Sequence, residues 1–218
     1  MKDYHKVSDS YGQLLFTPEY IYNKGGNHSK TVGFSDSTIS EKRDTMHILD
    51  KLRGGNLRSI GRSDEVVGDI EAEPALFDAV FMGLYDDDPC VRMRSADVVE
   101  KVTRNHPEYL GKWKNAILND ISRIDQQEVI WHVNQIFPRI SWTLAERKKV
   151  FGMIKKYLGH KSKIVVVSAM QALAELAEQH PKLKNDTVRL IRPLTLDGSP
   201  AMRARGKKLL KQLENIVT

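Results

Sequence analysis

Two short clusters and one long cationic stretch are the places where this chain could do chemistry. Asp86, Asp87 and Asp88 are consecutive carboxylates, the donor type that holds a hard cation through oxygen. Cys90 follows, at a position where the positive end of a helix would lower a thiol pKa and favour the nucleophilic thiolate. The neighbouring residues argue for plainer roles. Asp88 precedes Pro89, an N-cap acceptor ahead of a proline at the first helical position, so the acidic run reads as a solvated interhelix turn. Cys90 has no basic partner in its motif and reads as a small packing residue. No P-loop, Gly-x-Gly-x-x-Gly, His-Glu-x-x-His or paired-cysteine motif occurs, so no catalytic residue, cofactor site or metal site is expected.

The third region is cationic. Residues 143–218 carry 16 basic and 6 acidic side chains, a net +10, whereas residues 41–142 balance to -4 and residues 1–40 to zero. The excess is clustered at Lys148 and Lys149, Lys155 and Lys156, Lys161 and Lys163, then Arg205, Lys207, Lys208 and Lys211. Clusters with so few acids among them form an electrostatic footprint for phosphates or for an acidic protein. Lysines outnumber arginines here, so contact with a nucleic acid would run to the backbone rather than to base edges.

These groups need elements to position them, and the sequence supplies a repeat. Residues 86–99 align without a gap on residues 197–210, with Asp86 and Asp197, Pro89 and Pro200, Arg92 and Arg203, and Arg94 and Arg205 identical. The offset is 111, three times 37. Val98, Val99, Val102, His106 and Pro107 pair with Ala172, Leu173, Leu176, His180 and Pro181 at 74, twice 37. Val129, Ile136, Phe137 and Ile140 follow Val91, Val98, Val99 and Val102 at 38. Within each unit apolar residues recur at intervals of three and four, as in Leu76, Phe77, Val80, Phe81 and Leu84, the signature of amphipathic helices. Four units of two helices are expected, over residues 73–107, 108–142, 143–182 and 183–216. Asp125 to Glu128 and Thr143 to Glu146 have capping-box spacing.

At these residues the chain resembles the HEAT repeat family, particularly its short bacterial form with an Asp-x-Pro-x-Val-Arg turn opening the second helix. The resemblance spans roughly residues 73–216 and implies an α-α superhelix in which Arg92 and Arg203 belong to a ladder between neighbouring repeats. Val129 with Ile130, and Val165 with Val166, stand where units two and three would carry the Val-Arg pair. The family includes adaptors, nuclear transport factors, relatives of bilin lyases and DNA glycosylases. Its alkylpurine glycosylases set tryptophans beside a catalytic aspartate. Here Trp113 is followed by Asp120 seven residues on, Trp131 by His132, and Trp142 lies apart, so packing is the expected role for these rings.

Residues 39–218 are expected to form a single repeat domain, opened by a helical cap over 41–70 with Met46, Ile48, Leu49 and Leu52 before Gly54 and Gly55. Residues 1–38, with Tyr4, Tyr11, Phe16, Tyr20, Tyr22 and Phe34 in a polar background, show no helical period and read as a flexible tail. The longest apolar run, residues 164–167, is too short to cross a bilayer. One cysteine and no secretion signal make the cytoplasm the expected compartment. The expectation for function is a non-catalytic scaffold binding a protein partner. The alternative is a nucleic-acid binder, linked to DNA repair, acting through its basic C-terminal units.

Overall fold

Apolar residues spaced at three and four form helices wherever a start signal precedes them. In the computed structural model, which describes residues 48–216, these helices are α1 (Ser63–Ala72), α2 (Leu76–Met82), α3 (Pro89–Val102), α4 (Lys114–Asn119), α5 (Gln127–Ile136), α6 (Leu144–Tyr157), α7 (Lys163–Gln179), α8 (Lys184–Asp197) and α9 (Pro200–Glu214). No strand occurs among the described residues. The tail expected over residues 1–38, and the start of the cap up to residue 47, lie outside them.

The start signals act as hydrogen bonds. Asp88 accepts from the Cys90 N–H at 2.8 Å and Pro89 opens α3. Thr143 and Glu146 exchange both bonds of a capping box at the start of α6. Ser199 accepts from the Met202 N–H before Pro200 opens α9. The box expected at Asp125–Glu128 does not form, because Gln126 takes the N-cap position. Its amide is committed elsewhere, accepting from Arg92 Nε and donating to the Pro89 carbonyl, each at 2.8 Å. The first helix expected in unit two is also shorter than its apolar residues suggested. It is α4 between two single 3₁₀ turns, Pro107–Leu110 and Ile121–Arg123.

The odd-numbered helices pack side by side in chain order, α1 on α3, α3 on α5, α5 on α7 and α7 on α9. Of the others, α2 lies against α3, α6 against α7, and α8 against both α7 and α9. Bonds between these neighbours join residues 34 to 39 apart: Arg92 to Gln126, Arg139 to Thr103 and Glu100, Asn134 to Ser168, Arg205 to Gln171 and Gln212 to Glu178. The core follows the same order. One cluster extends from Ile48 to Leu176, and a second joins Val166, Met170 and Ala174 to Ile191, Leu209 and Leu213. Gly206 is required where α8 meets α9, because a Cβ there would collide with the Thr195 hydroxyl.

The two motif arginines that repeat as Arg94 and Arg205 meet opposite fates. Arg94 is buried, 1% exposed. Its guanidinium donates to the carbonyls of Leu52 (2.6 Å), Gly54 (2.7 Å) and Ser59 (3.2 Å), with longer bonds to Arg53 and Asn56. A cation without a carboxylate is tolerated because carbonyls at the end of the short helical turn from Ile48 concentrate negative dipole on it. Gly61, in the left-handed region at φ +56°, brings the backbone so close that a Cβ would lie 2.8 Å from the guanidinium carbon. Arg205 is exposed and bonds only Gln171, at 3.0 Å.

Two stability measurements follow. Leu173 is fully buried, so Leu173→Ala is expected to cost about 2–5 kcal/mol in urea unfolding. Arg94→Ala, which orphans several buried carbonyls, is expected to cost about 3 kcal/mol or more, against about 0.5 kcal/mol or less for Arg205→Ala. Equal effects of the two arginine variants would contradict this account.

Candidate cationic interface

The acidic turn is occupied with structure. Asp86 pairs with Arg53 at 2.8 Å and accepts from the Asp88 N–H, while Asp88 caps α3. Cys90 is buried in the first turn of α3. Trp113 stacks on Phe81 at 4.1 Å and donates its indole N–H to Asp78, not to Asp120. Trp142 is buried and donates to the Phe137 carbonyl at 2.8 Å. Trp131 is half-buried and lies beside His132, with ring centroids 5.3 Å apart.

The cations divide sharply along the chain. Of the twelve Lys and Arg side chains between residues 51 and 139, Lys51, Arg53, Arg62, Lys101, Arg104, Lys112, Lys114 and Arg139 form ion pairs with carboxylates, and Arg58, Arg92, Arg94 and Arg123 form none among the described residues. Glu100 is the densest knot. Burial raises its pKa, but Arg104 and Arg139 outweigh that and hold it below the ordinary carboxylate value. By contrast Lys148, Lys149, Lys155, Lys156, Lys161, Lys163, Arg205, Lys207, Lys208 and Lys211 are all exposed. None of them forms an ion pair among the described residues.

The structure gathers these ten side chains into separate patches. On α6, Lys148, Lys149, Lys155 and Lys156 occupy one face, seven residues recurring after two turns, directly opposite the buried Val150 and Ile154. Lys161 lies in the following turn and Lys163 opens α7. On α9, opposite the buried Met202, Gly206, Leu209 and Leu213, the cations split into two flanks. Arg205 and Lys208 lie on the flank toward α7, where Arg205 reaches Gln171. Lys207 and Lys211 lie on the other flank with Arg203, which donates to the Gly198 carbonyl at 2.8 Å. The helices α6 and α9 both pack on α7 and build no comparable interface with each other, so the lysines are not one continuous face.

Sequence reading did not single out Leu196, the most exposed large apolar side chain at 68%. Its signal was available in the 111-residue offset, which sets Leu196 on Tyr85, itself 41% exposed beside the acidic turn.

No protein-family model matches this chain, and no curated protein does. Similar solved structures do exist. Two crystal structures of engineered proteins each superpose with a TM-score of 0.53. One is 14% identical over 84% of this chain and 78% of its own. The other is 16% identical over 82% of each. At that identity the likeness concerns the fold alone, an all-helical packing. No helix among the described residues is long and apolar enough to cross a membrane.

His132 is the buried titratable group most displaced from its ordinary state. Burial pushes its imidazole down to about 4, against the smaller pull of Asp97, whose carboxylate is 4.0 Å away. Its Nδ1 is buried without a hydrogen-bond partner among the described residues. The unfolded chain binds a proton at about 6.5 and the folded chain does not until about 4. Stability from this residue is therefore complete above pH 6.5 and is lost as pH falls toward 4, by on the order of 3 kcal/mol. His132→Gln is expected to flatten the pH dependence of urea unfolding over that window. An unchanged slope would show that the ring is solvated.

Proposed function

We propose that this chain is a non-catalytic binding protein, a HEAT-like repeat solenoid of four helix pairs behind a helical cap, whose basic C-terminal units engage an acidic protein partner. Support for the repeat reading comes from the side-by-side packing of every second helix and from cross-bonds at 34 to 39 residues. Arg92 and Arg203 add to it. Each donates Nη1 to the carbonyl five residues earlier, Asp87 and Gly198, so the turn is built alike in both units, and Arg92 also reaches Gln126 of the next unit.

The observation that carries the functional reading is the contrast in pairing. Most cations between residues 51 and 139 form ion pairs with carboxylates, whereas ten in the last third are exposed and form none among the described residues. Unpaired exposed charge is of little use to folding and raises the encounter rate with an oppositely charged partner. The face of α6 also supports a second reading, contact with a nucleic-acid backbone, because its lysines are aligned along one side of a helix. Lysine point charges suit phosphates without reading base sequence.

Neutralising Lys148, Lys149, Lys155 and Lys156 to Gln is expected to weaken retention on heparin strongly at low salt. The difference should vanish near 1 M salt, where the screening length is about 3 Å. Duplex DNA and an acidic polypeptide such as polyglutamate, compared at matched charge, separate the two readings. A protein with no affinity for any of the three at about 50 mM salt would overturn both.

A further inference from the structure

Two helices of this chain carry one residue pattern with opposite charge. Residues 61–73, which include α1, and residues 145–157 of α6 align without a gap at an offset of 84. The buried Val66 and Ile70 match the buried Val150 and Ile154, and Gly68 matches Gly152. On the other side of each helix Asp64, Glu65 and Glu71 match Lys148, Lys149 and Lys155. Residues 61–73 hold five acids and one base, whereas residues 145–157 hold five bases and one acid. The match departs at Ala72, which stands in the place of Lys156.

Each pattern makes a strip with a bare centre. At about 100° per residue, Asp64 and Glu71 line one side of the exposed face of α1 and Glu65 the other, with Gly68 between them. On α6, Lys148 and Lys155 line one side, Lys149 and Lys156 the other, and Gly152 lies between. No atom lies within 4 Å of where a Cβ would stand on Gly68 or Gly152. Glycine inside a helix weakens it, and packing among the described residues requires neither glycine. What such a seam supplies is room for another backbone to come close.

The α1 carboxylates have internal partners: Lys101 for Asp64, Arg62 and Lys51 for Glu65, and His106 for Glu71. They stay open to a second cation, since their side chains are 72%, 45% and 43% exposed. The four α6 lysines form no ion pair among the described residues. Glu146, the one acid of that segment, is committed to the helix cap and to Lys114.

We propose that the exposed face of α6 docks the α1 face of a second copy of this chain. The two glycine seams cross, and the α6 lysines are set against Asp64, Glu65 and Glu71. Within one chain α1 packs on α3 and α6 on α7, so the match is made between copies. A phosphate backbone would be served best by a further cation at the centre of the face, where Gly152 stands. The bare seam therefore favours a helix over a nucleic acid. The proposal rests on the acidic-partner reading and names the partner.

The test is sedimentation of the full chain over a range of concentrations, at about 50 mM and about 1 M salt. The parent is expected to associate at low salt and to be monomeric at high salt. Lys148→Glu with Lys155→Glu, and separately Asp64→Lys with Glu71→Lys, are each expected to weaken association at least about tenfold. An equimolar mixture of the two double variants is expected to associate again, a recovery that misfolding cannot produce. Gly152→Gln is expected to weaken association severalfold while melting no lower than the parent, because the new side chain meets no neighbour. The proposal is overturned if either double variant or Gly152→Gln associates like the parent, if the mixture stays monomeric, or if association survives high salt. A parent that stays monomeric yet binds polyglutamate overturns the self-docking alone. One that is monomeric and binds only duplex DNA assigns the α6 face to nucleic acid instead. A monomer that binds neither overturns the broader reading as well.

Discussion

The constraint on which this structure depends is that a helix pair cannot bury its own apolar surface. In α7, Val165, Val166, Ala169, Met170, Leu173, Leu176 and Ala177 are all buried, and such residues recur around more than one side of the helix. One partner helix covers one stripe. The rest is covered by α5 on one flank and α9 on the other. Packing each second helix against the next is therefore the arrangement in which the apolar content of every unit finds cover. The bonds at 34 to 39 residues are laid over that packing rather than causing it.

Two motif positions on corresponding helices, α3 and α9, hold their cations differently. At the N-terminal side Arg94 draws the segment from Leu52 to Ser59 over the flank of α3, holding it by backbone carbonyls that any sequence with suitable glycines could offer. Gly55 and Gly61 leave room for the guanidinium that a side chain would fill. On α9 the equivalent of Arg94 is Arg205, which stays in solvent and bonds Gln171. The same motif position thus holds a buried cation on α3 and an exposed one on α9.

Charge follows the same logic. Up to α5 several cations meet a carboxylate of a neighbouring segment, as Lys101 meets Asp64 and Lys114 meets Glu146. From α6 onward acids are scarce, and the lysines have none within reach. The long stems of those lysines still cover apolar surface while their ammonium groups remain hydrated. That charge stays exposed to solvent.

By itself the sequence determined the elements and their order. Periodic apolar residues and caps such as Asp88, Thr143 and Ser199 are local, and the cap hydrogen bonds close within three residues. The 37-residue spacing likewise determined which helices correspond. Tertiary structure decided what each corresponding position became. Arg94 and Arg205 are identical in motif and differ in fate because one has a loop to wrap it and the other has only Gln171. Asp125 to Glu128 have the spacing of a capping box, yet Gln126 is drawn away to Arg92, a residue 34 positions earlier. The ten cations cluster in sequence but part into the α6 face, the turn into α7 and two flanks of α9, because a helix spreads consecutive residues by about 100° each. Those outcomes depend on which side of a helix meets a neighbour, and no window of local sequence contains that neighbour.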